Sequence, residues 1–156
     1  MKIRETPNGF GLFLNQQVQS HDVFDYLLDK CGRADEMIIS SFAVTEAYVR
    51  RIIRNRHRIE NISLFLDFTI ASRNPRVTFY AAHNVNRLFL TNNHSKFIYI
   101  RSGISYLAIM SNNATNNHRY ESGIILSEPV FISEFLAQIE GMKRDSVLFD
   151  GKGNSR

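Results

Sequence analysis

An α/β domain built on a mixed β-sheet flanked by helices is the fold class this sequence predicts, and three observations predict it. Helix-like and strand-like segments alternate through the first half of the chain, the pattern of a sheet with parallel strands. The second half then runs through consecutive strand-like segments, which argue antiparallel neighbours. The 156 residues are 44% hydrophobic and 22% charged, enough for one packed core and too apolar for a disordered chain. No repeat or low-complexity segment interrupts the chain. One domain over residues 1–145 is expected, with 146–156 as a flexible tail.

The elements follow in order. Residues 1–18, with Pro7, Gly9, Gly11 and the apolar run Phe10 to Leu14, predict a turn and then an edge strand or a partner-facing segment. Ser20 is a good N-cap for a helix over about 21–31, with Val23, Phe24, Leu27, Leu28 and Cys31 as its apolar stripe and Gly32 ending it. Met37 to Val44 reads as a buried strand. Thr45 caps a second helix, to about Ile59, and Ile62 to Phe68 reads as a second buried strand. A third helix opens at Ala71-Ser72, takes Pro75 in its first turn and reaches His83. Asn84 to Asn86 break it, and Arg87 to Leu90 is a short strand. The segments 94–100 and 104–111 predict a hairpin about Ser102-Gly103. Asn112 to His118 is a polar loop, and Arg119 to Leu126 a further strand. The final helix starts near Pro129, with Ser133 a second possible start, and runs to about Met142. The tail from Lys143, with Gly151 and Gly153, is expected to fray.

Composition narrows the function. The formal charge is +4 and the pI about 9.4, which favours a polyanionic partner. Cys31 is the one cysteine, so neither an intrachain disulfide nor a cysteine-based zinc site is expected. No apolar run nears eighteen residues and no leader pattern follows Met1, so a cytoplasmic protein without a membrane partner is expected. The helix after Thr45 concentrates charge: Arg50, Arg51, Arg54, Arg56 and Arg58, with His57 among them. Two readings stay open for it. It is either a solvated face whose arginine stems cover the core, or a row of phosphate contacts along a nucleic-acid backbone. For the latter Arg50, Arg51, Arg54 and Arg58 are the candidates, and arginine suits phosphate better than lysine does.

The densest chemistry lies downstream. His94 and Lys96 are two apart on a predicted strand, hence on one face and roughly 7 Å apart. Ser111 and Asn113 obey the same rule on the next strand, and Glu121 follows. A base or nucleophile, a fixed cation, two hydrogen-bonding groups and a carboxylate suit a phosphate centre.

His94-Ser95-Lys96, then Ser111-Asn112-Asn113-Ala114-Thr115, then Glu121 ahead of an apolar strand together resemble the phospholipase D superfamily and its H-x-K-x4-D signature. The sequence departs from that pattern twice: Arg101 stands where the family has an aspartate, and Met110 where it often has glycine. By alternation position 101 faces away from His94 and Lys96. The resemblance implies a phospholipase D-like fold over almost the whole chain. It implies His94 as nucleophile through a phosphohistidine, Lys96 and Asn113 on the non-bridging oxygens, Ser111 as a further donor and Glu121 fixing the histidine tautomer. It requires no metal or cofactor. His118, in the loop between Asn113 and Glu121, is a candidate substrate contact. The scheme needs a second histidine, yet His21, His57, His83 and His118 are followed two residues on by Val23, Ile59, Val85 and Tyr120. One motif per chain implies a homodimer with two His94 side chains meeting at a two-fold axis. The resemblance and the basic charge together point to a phosphodiesterase on nucleic acid, with a DNA endonuclease favoured over an RNA enzyme. A non-catalytic nucleic-acid-binding module is the alternative, and a phospholipid phosphodiesterase is the least favoured.

Overall fold

The structure, a computed structural model, describes residues 3–116 and 118–151. Nine strands among them form one sheet in the order β1-β2-β8-β7-β6-β3-β4-β5-β9. Along the chain these are β1 (Arg4–Glu5), β2 (Gly11–Asn15), α1 (Ser20–Cys31), β3 (Ala34–Ser41), α2 (Glu46–Arg54), a 3-10 turn (Arg56–Arg58), β4 (Ile59–Asp67), α3 (Phe68–Arg73), α4 (Pro75–Asn84), β5 (Arg87–Thr91), β6 (Phe97–Ser102), β7 (Ile104–Met110), β8 (Glu121–Leu126), α5 (Pro129–Arg144) and β9 (Val147–Phe149). β3, β4 and β5 are parallel, and every other pairing between these strands is antiparallel. The mixed sheet flanked by helices is therefore as the alternation predicts.

Strand alternation divides the core into two layers. Met37 and Ile39 of β3 face one side, with α1 to α4; Phe24, Leu27, Val49, Ile52 and Ala81 fill that layer. Ile38 faces the other, where Phe97, Tyr99, Leu107 and Leu126 lie under Ile132 and Ile139 of α5. No helix among the described residues is long and apolar enough to cross a membrane.

Several boundaries differ from the sequence reading, each for a local reason. Ser20 is the first residue of α1 rather than its cap; Gln19 caps it, its amide donating to Asp22 Oδ2 at 2.8 Å. Thr45 does cap α2, accepting from the Tyr48 amide. The helix stops at Arg54 and not near Ile59, because the Asn55 side chain turns back onto the Arg51 carbonyl and Ile59 already pairs with Ala34. The third predicted helix is two helices. Pro75 has no N–H and disfavours a helical residue before it, so α3 ends at Arg73 and Asn74 caps α4. β3 and β4 each begin three residues earlier than expected. The tail is not wholly free either: Val147, Leu148 and Phe149 pair with Leu90, Phe89 and Leu88, and the Phe149 ring meets Phe79 edge-on at 5.3 Å. Apolar residues there cover the open edge of β5. Gly153 lies outside the described residues.

Candidate active site

The three parallel strands end side by side, at Ser41, Asp67 and Thr91. Loops at the carboxyl ends of such strands are where α/β sheets place ligands, and His94 stands in the loop after β5. Neither His94 nor Lys96 lies on the strand expected for them, since β6 begins at Phe97. The ladder between β3 and β6 stops at Ser40 opposite Phe97. There the Ser40 side chain turns to Ser95, its Oγ 2.8 Å from Ser95 Oγ.

The backbone that carries His94 is fixed by its buried neighbour Asn93. Asn93 Nδ2 donates to Ser40 Oγ at 2.9 Å, to the Ser41 carbonyl at 3.2 Å and to the Phe65 carbonyl at 3.4 Å. Its Oδ1 accepts from the Ser95 amide at 2.9 Å and the Ser95 hydroxyl at 2.6 Å. Its own amide donates to Asp67 Oδ2 at 3.0 Å. Asp67 also accepts from the Thr69 amide and hydroxyl. Burial alone would raise the Asp67 carboxyl, but the hydrogen bonds from Thr69 and Asn93, with the charge of Arg73, outweigh it and hold it below its ordinary value.

On this frame the exposed His94 and half-buried Lys96 converge. Lys96 Nζ lies 3.0 Å from His94 Nδ1 and 3.4 Å from Nε2, and donates to the His94 carbonyl at 2.7 Å. Burial lowers the Lys96 pKa, and the charge of Glu121 opposes that shift. His94 also packs on Phe42, ring centroids 5.3 Å apart. A cleft of about 530 Å³ opens beside it, between Asn92, Ser95 and the Gln138, Met142 and Asp145 end of α5 and its exit.

The downstream motif arrives through β7. Met110 donates to the Lys96 carbonyl at 3.0 Å, so Ser111 lies just past the strand and across from the His94 loop. Ser111 Oγ donates to the Glu121 carboxylate and accepts from the Ser122 amide at 3.0 Å. Ser111 and Asn113 are thus beyond the strand end, not on it. The Ala114 amide donates to Ser41 Oγ at 2.8 Å, drawing the chain off the sheet. Asn113 Oδ1 stands 3.5 Å from Ser41 Oγ, which ties it to the strand end that Asn93 grips. Within one chain Glu121 makes its hydrogen bond to Ser111 and none to His94. Gly123 is required by close approach, since a Cβ there would stand 2.5 Å from the Phe13 ring. Met110 is buried core.

The remaining candidates separate from this centre. Arg101 ends the far side of β6, where it pairs with Asp35 at 3.3 Å and Glu36 at 3.6 Å. Arg50 is paired with Glu46 at 2.6 Å, Arg51 with Asp25, and Arg58 with Asp29 while it also donates to the Leu28 and Gly32 carbonyls. Arg54 makes no ion pair with another described residue. It lines a cleft of about 270 Å³ with His21, Tyr48 and Asn116, and Asn116 belongs to the same loop as Asn113. His118 is exposed in that loop. Sequence reasoning gave no role to Asn93, Asp67, Ser40, Ser41 or Phe42. Their one visible signal is position, each at or just past the end of a strand in this α/β order.

No family model matches the chain, and no curated protein matches it in sequence. Solved structures do match in fold. NucT from Helicobacter pylori superposes with a TM-score of 0.71 at 17% identity, over 90% of this chain and 98% of its own. Nuc from Salmonella typhimurium, a phospholipase D family member, gives 0.70 at 13% identity over the same shares. Phosphatidylserine synthase from Haemophilus influenzae gives 0.63 at 10% identity, over 92% of this chain and 41% of its own. The chain has the phospholipase D-like fold.

Proposed function

We propose that the protein is a phosphodiesterase that cuts nucleic acid, DNA by preference, without a metal, through a phosphohistidine on His94. The observation that carries this reading is the convergence of His94 and Lys96 on a loop pinned by Asn93, with Ser111 and Glu121 facing it. One unprotonated ring nitrogen of His94 attacks phosphorus as the bond to the leaving oxygen breaks. Lys96 and Asn113 hold the non-bridging oxygens, where charge gathers in the transition state. The leaving oxygen takes its proton from a second imidazole, His94 of another copy. That imidazole then removes a proton from water, the hydroxide attacks phosphorus, and the phosphorus–nitrogen bond breaks to restore the nucleophile. Two copies therefore share one site. Glu121 and Ser111 form a hydrogen-bonded pair beside it, available to orient a histidine across the two-fold axis. Arg101 sits in a surface ion pair with Asp35 and Glu36, which supports a role for that position outside the reacting groups. Arg54, with His118 in the adjoining loop, extends the basic surface for the strand; Arg50, Arg51 and Arg58 reach phosphate only by exchanging their present partners.

The test is cleavage of plasmid and single-stranded DNA in excess EDTA, with His94→Ala and Lys96→Ala beside the wild type. Nicking by the wild type and a loss of roughly 1,000-fold or more in both variants is expected. Tight, salt-sensitive binding without cleavage would replace the enzyme by a nucleic-acid-binding module. Turnover of a phospholipid with DNA untouched would make it a lipid phosphodiesterase.

A further inference from the structure

The rim of the site on the side of β3 holds two residues that the reaction above leaves unused. Phe42 follows the end of β3 and is half-buried, its ring tilted 54° against the His94 imidazole at 5.3 Å. The guanidinium of Arg73 lies over the same Phe42 ring, 5.5 Å from its centroid. Arg73 closes α3, the short helix that Asp67 caps. It is exposed, and no described carboxylate lies within ion-pair distance of it. Asp67, the acid that feels its charge, is already engaged by Asn93 and Thr69.

An arginine laid on an aromatic ring keeps the donors at its edge free while the stacking restricts its motion. Those donors match the oxygens of a phosphate. The Phe42 ring is within 5.5 Å of this cation and 5.3 Å of the proposed nucleophile's ring, so an anion bound here is a near neighbour of the reacting phosphorus but a different group. On a nucleic-acid strand the group in that place is the next phosphate.

We propose that Arg73, held over Phe42, binds the phosphate adjacent to the scissile one, and that Phe42 is the positioning residue for both Arg73 and the His94 ring. This rests on the nuclease reading above and adds a subsite to it. The test uses labelled oligonucleotides in EDTA, bound to His94→Ala protein so that no strand is cut, over a salt series. Adding Arg73→Gln is expected to weaken binding roughly 10-fold and to make the slope of log affinity against log salt shallower by about 0.7–0.9, the loss of one phosphate contact. Arg73→Lys should recover the slope but not the full affinity. Phe42→Leu, which keeps apolar volume, should shift affinity in the same direction by less. With His94 intact, Arg73→Gln should lower kcat/KM by a similar factor, carried by KM. An unchanged affinity and slope in Arg73→Gln, in protein that melts as its parent does and cleaves when His94 is present, would overturn the subsite and leave the nuclease standing. A fall carried by kcat with the slope unchanged would also overturn it. A parent that binds no oligonucleotide would remove both readings.

Discussion

Asn93 spends every polar atom of its side chain inside the protein, on Ser40, Ser41, Phe65 and Ser95, and gives its amide to Asp67. The residue that follows is His94, so the same bonds set the origin of the proposed nucleophile. Asn93→Ala removes the side-chain bonds to Ser40, Ser41, Phe65 and Ser95 and keeps only the backbone bond to Asp67, and a loss of about 2–4 kcal/mol of stability is expected in urea unfolding. Cleavage measured well below the unfolding midpoint should fall at least 100-fold, because a nucleophile displaced by an ångström loses its alignment. Asp67 makes a second, pH-dependent contribution. Its carboxyl is held below its ordinary 3.8 in the fold. A group shifted this way stabilises the folded state above its unfolded value, and that stabilisation is lost as pH falls through the folded one. The stability gap between wild type and Asp67→Asn should be widest near about pH 6 and shrink as pH drops below about 4. Denaturant melts across that range measure it; a gap that widens in acid would contradict the assignment.

The strands and helices were legible where periodicity is strong. α1 and β3 to β5 follow from runs such as Val23-Phe24 with Leu27-Leu28, and Leu64-Phe65-Leu66. The candidate site can be read in the sequence as residue types in order, His94, Lys96, Ser111, Asn113 and Glu121, but its geometry cannot. Their supports are remote in sequence: Asn93 meets Ser40 and Phe65, and Phe42 meets His94, contacts that only the assembled sheet creates. The Arg-rich helix was ambiguous in sequence because ion pairing is decided by α1, which brings Asp25 and Asp29 to Arg51 and Arg58. The strand after α5 was missed because Val147-Leu148-Phe149 is too short to show a period. It carries a prediction at this scale. Ending the chain after Asp145 uncovers the edge of β5 and removes the Phe149 contact with Phe79, so a loss of about 1–3 kcal/mol is expected. The shortened protein should also form assemblies larger than a dimer at concentrations where the full chain does not, since an open edge pairs readily. Thermal melts and light scattering check both.

At the scale of the whole molecule, the decisive quantity is how many chains make one site. Each chain supplies one H-x-K loop, and within it Glu121 bonds Ser111 while the His94 ring has Lys96 and Phe42 beside it. A covalent cycle needs a second group to protonate the leaving oxygen, and among the described residues no other imidazole hydrogen-bonds to His94, Lys96, Ser111 or Glu121. Mixing separates the possibilities without a structure of the complex. Wild-type chains refolded or co-expressed with His94→Ala chains assort at random if they dimerise. When both imidazoles are needed, activity follows the square of the wild-type fraction, and an equal mixture retains about one quarter of the activity of the undiluted wild type. When each chain works alone it retains about one half. The same dependence should appear in the amount of phosphate trapped on the protein after a quench only if the partner imidazole is needed for attack itself. If it serves only the leaving group and water, trapping should fall less steeply than turnover. A linear mixing curve, together with a monomeric mass by sedimentation at full activity, would refute the shared site and move the search for the proton donor to His118 and Glu121 of the same chain.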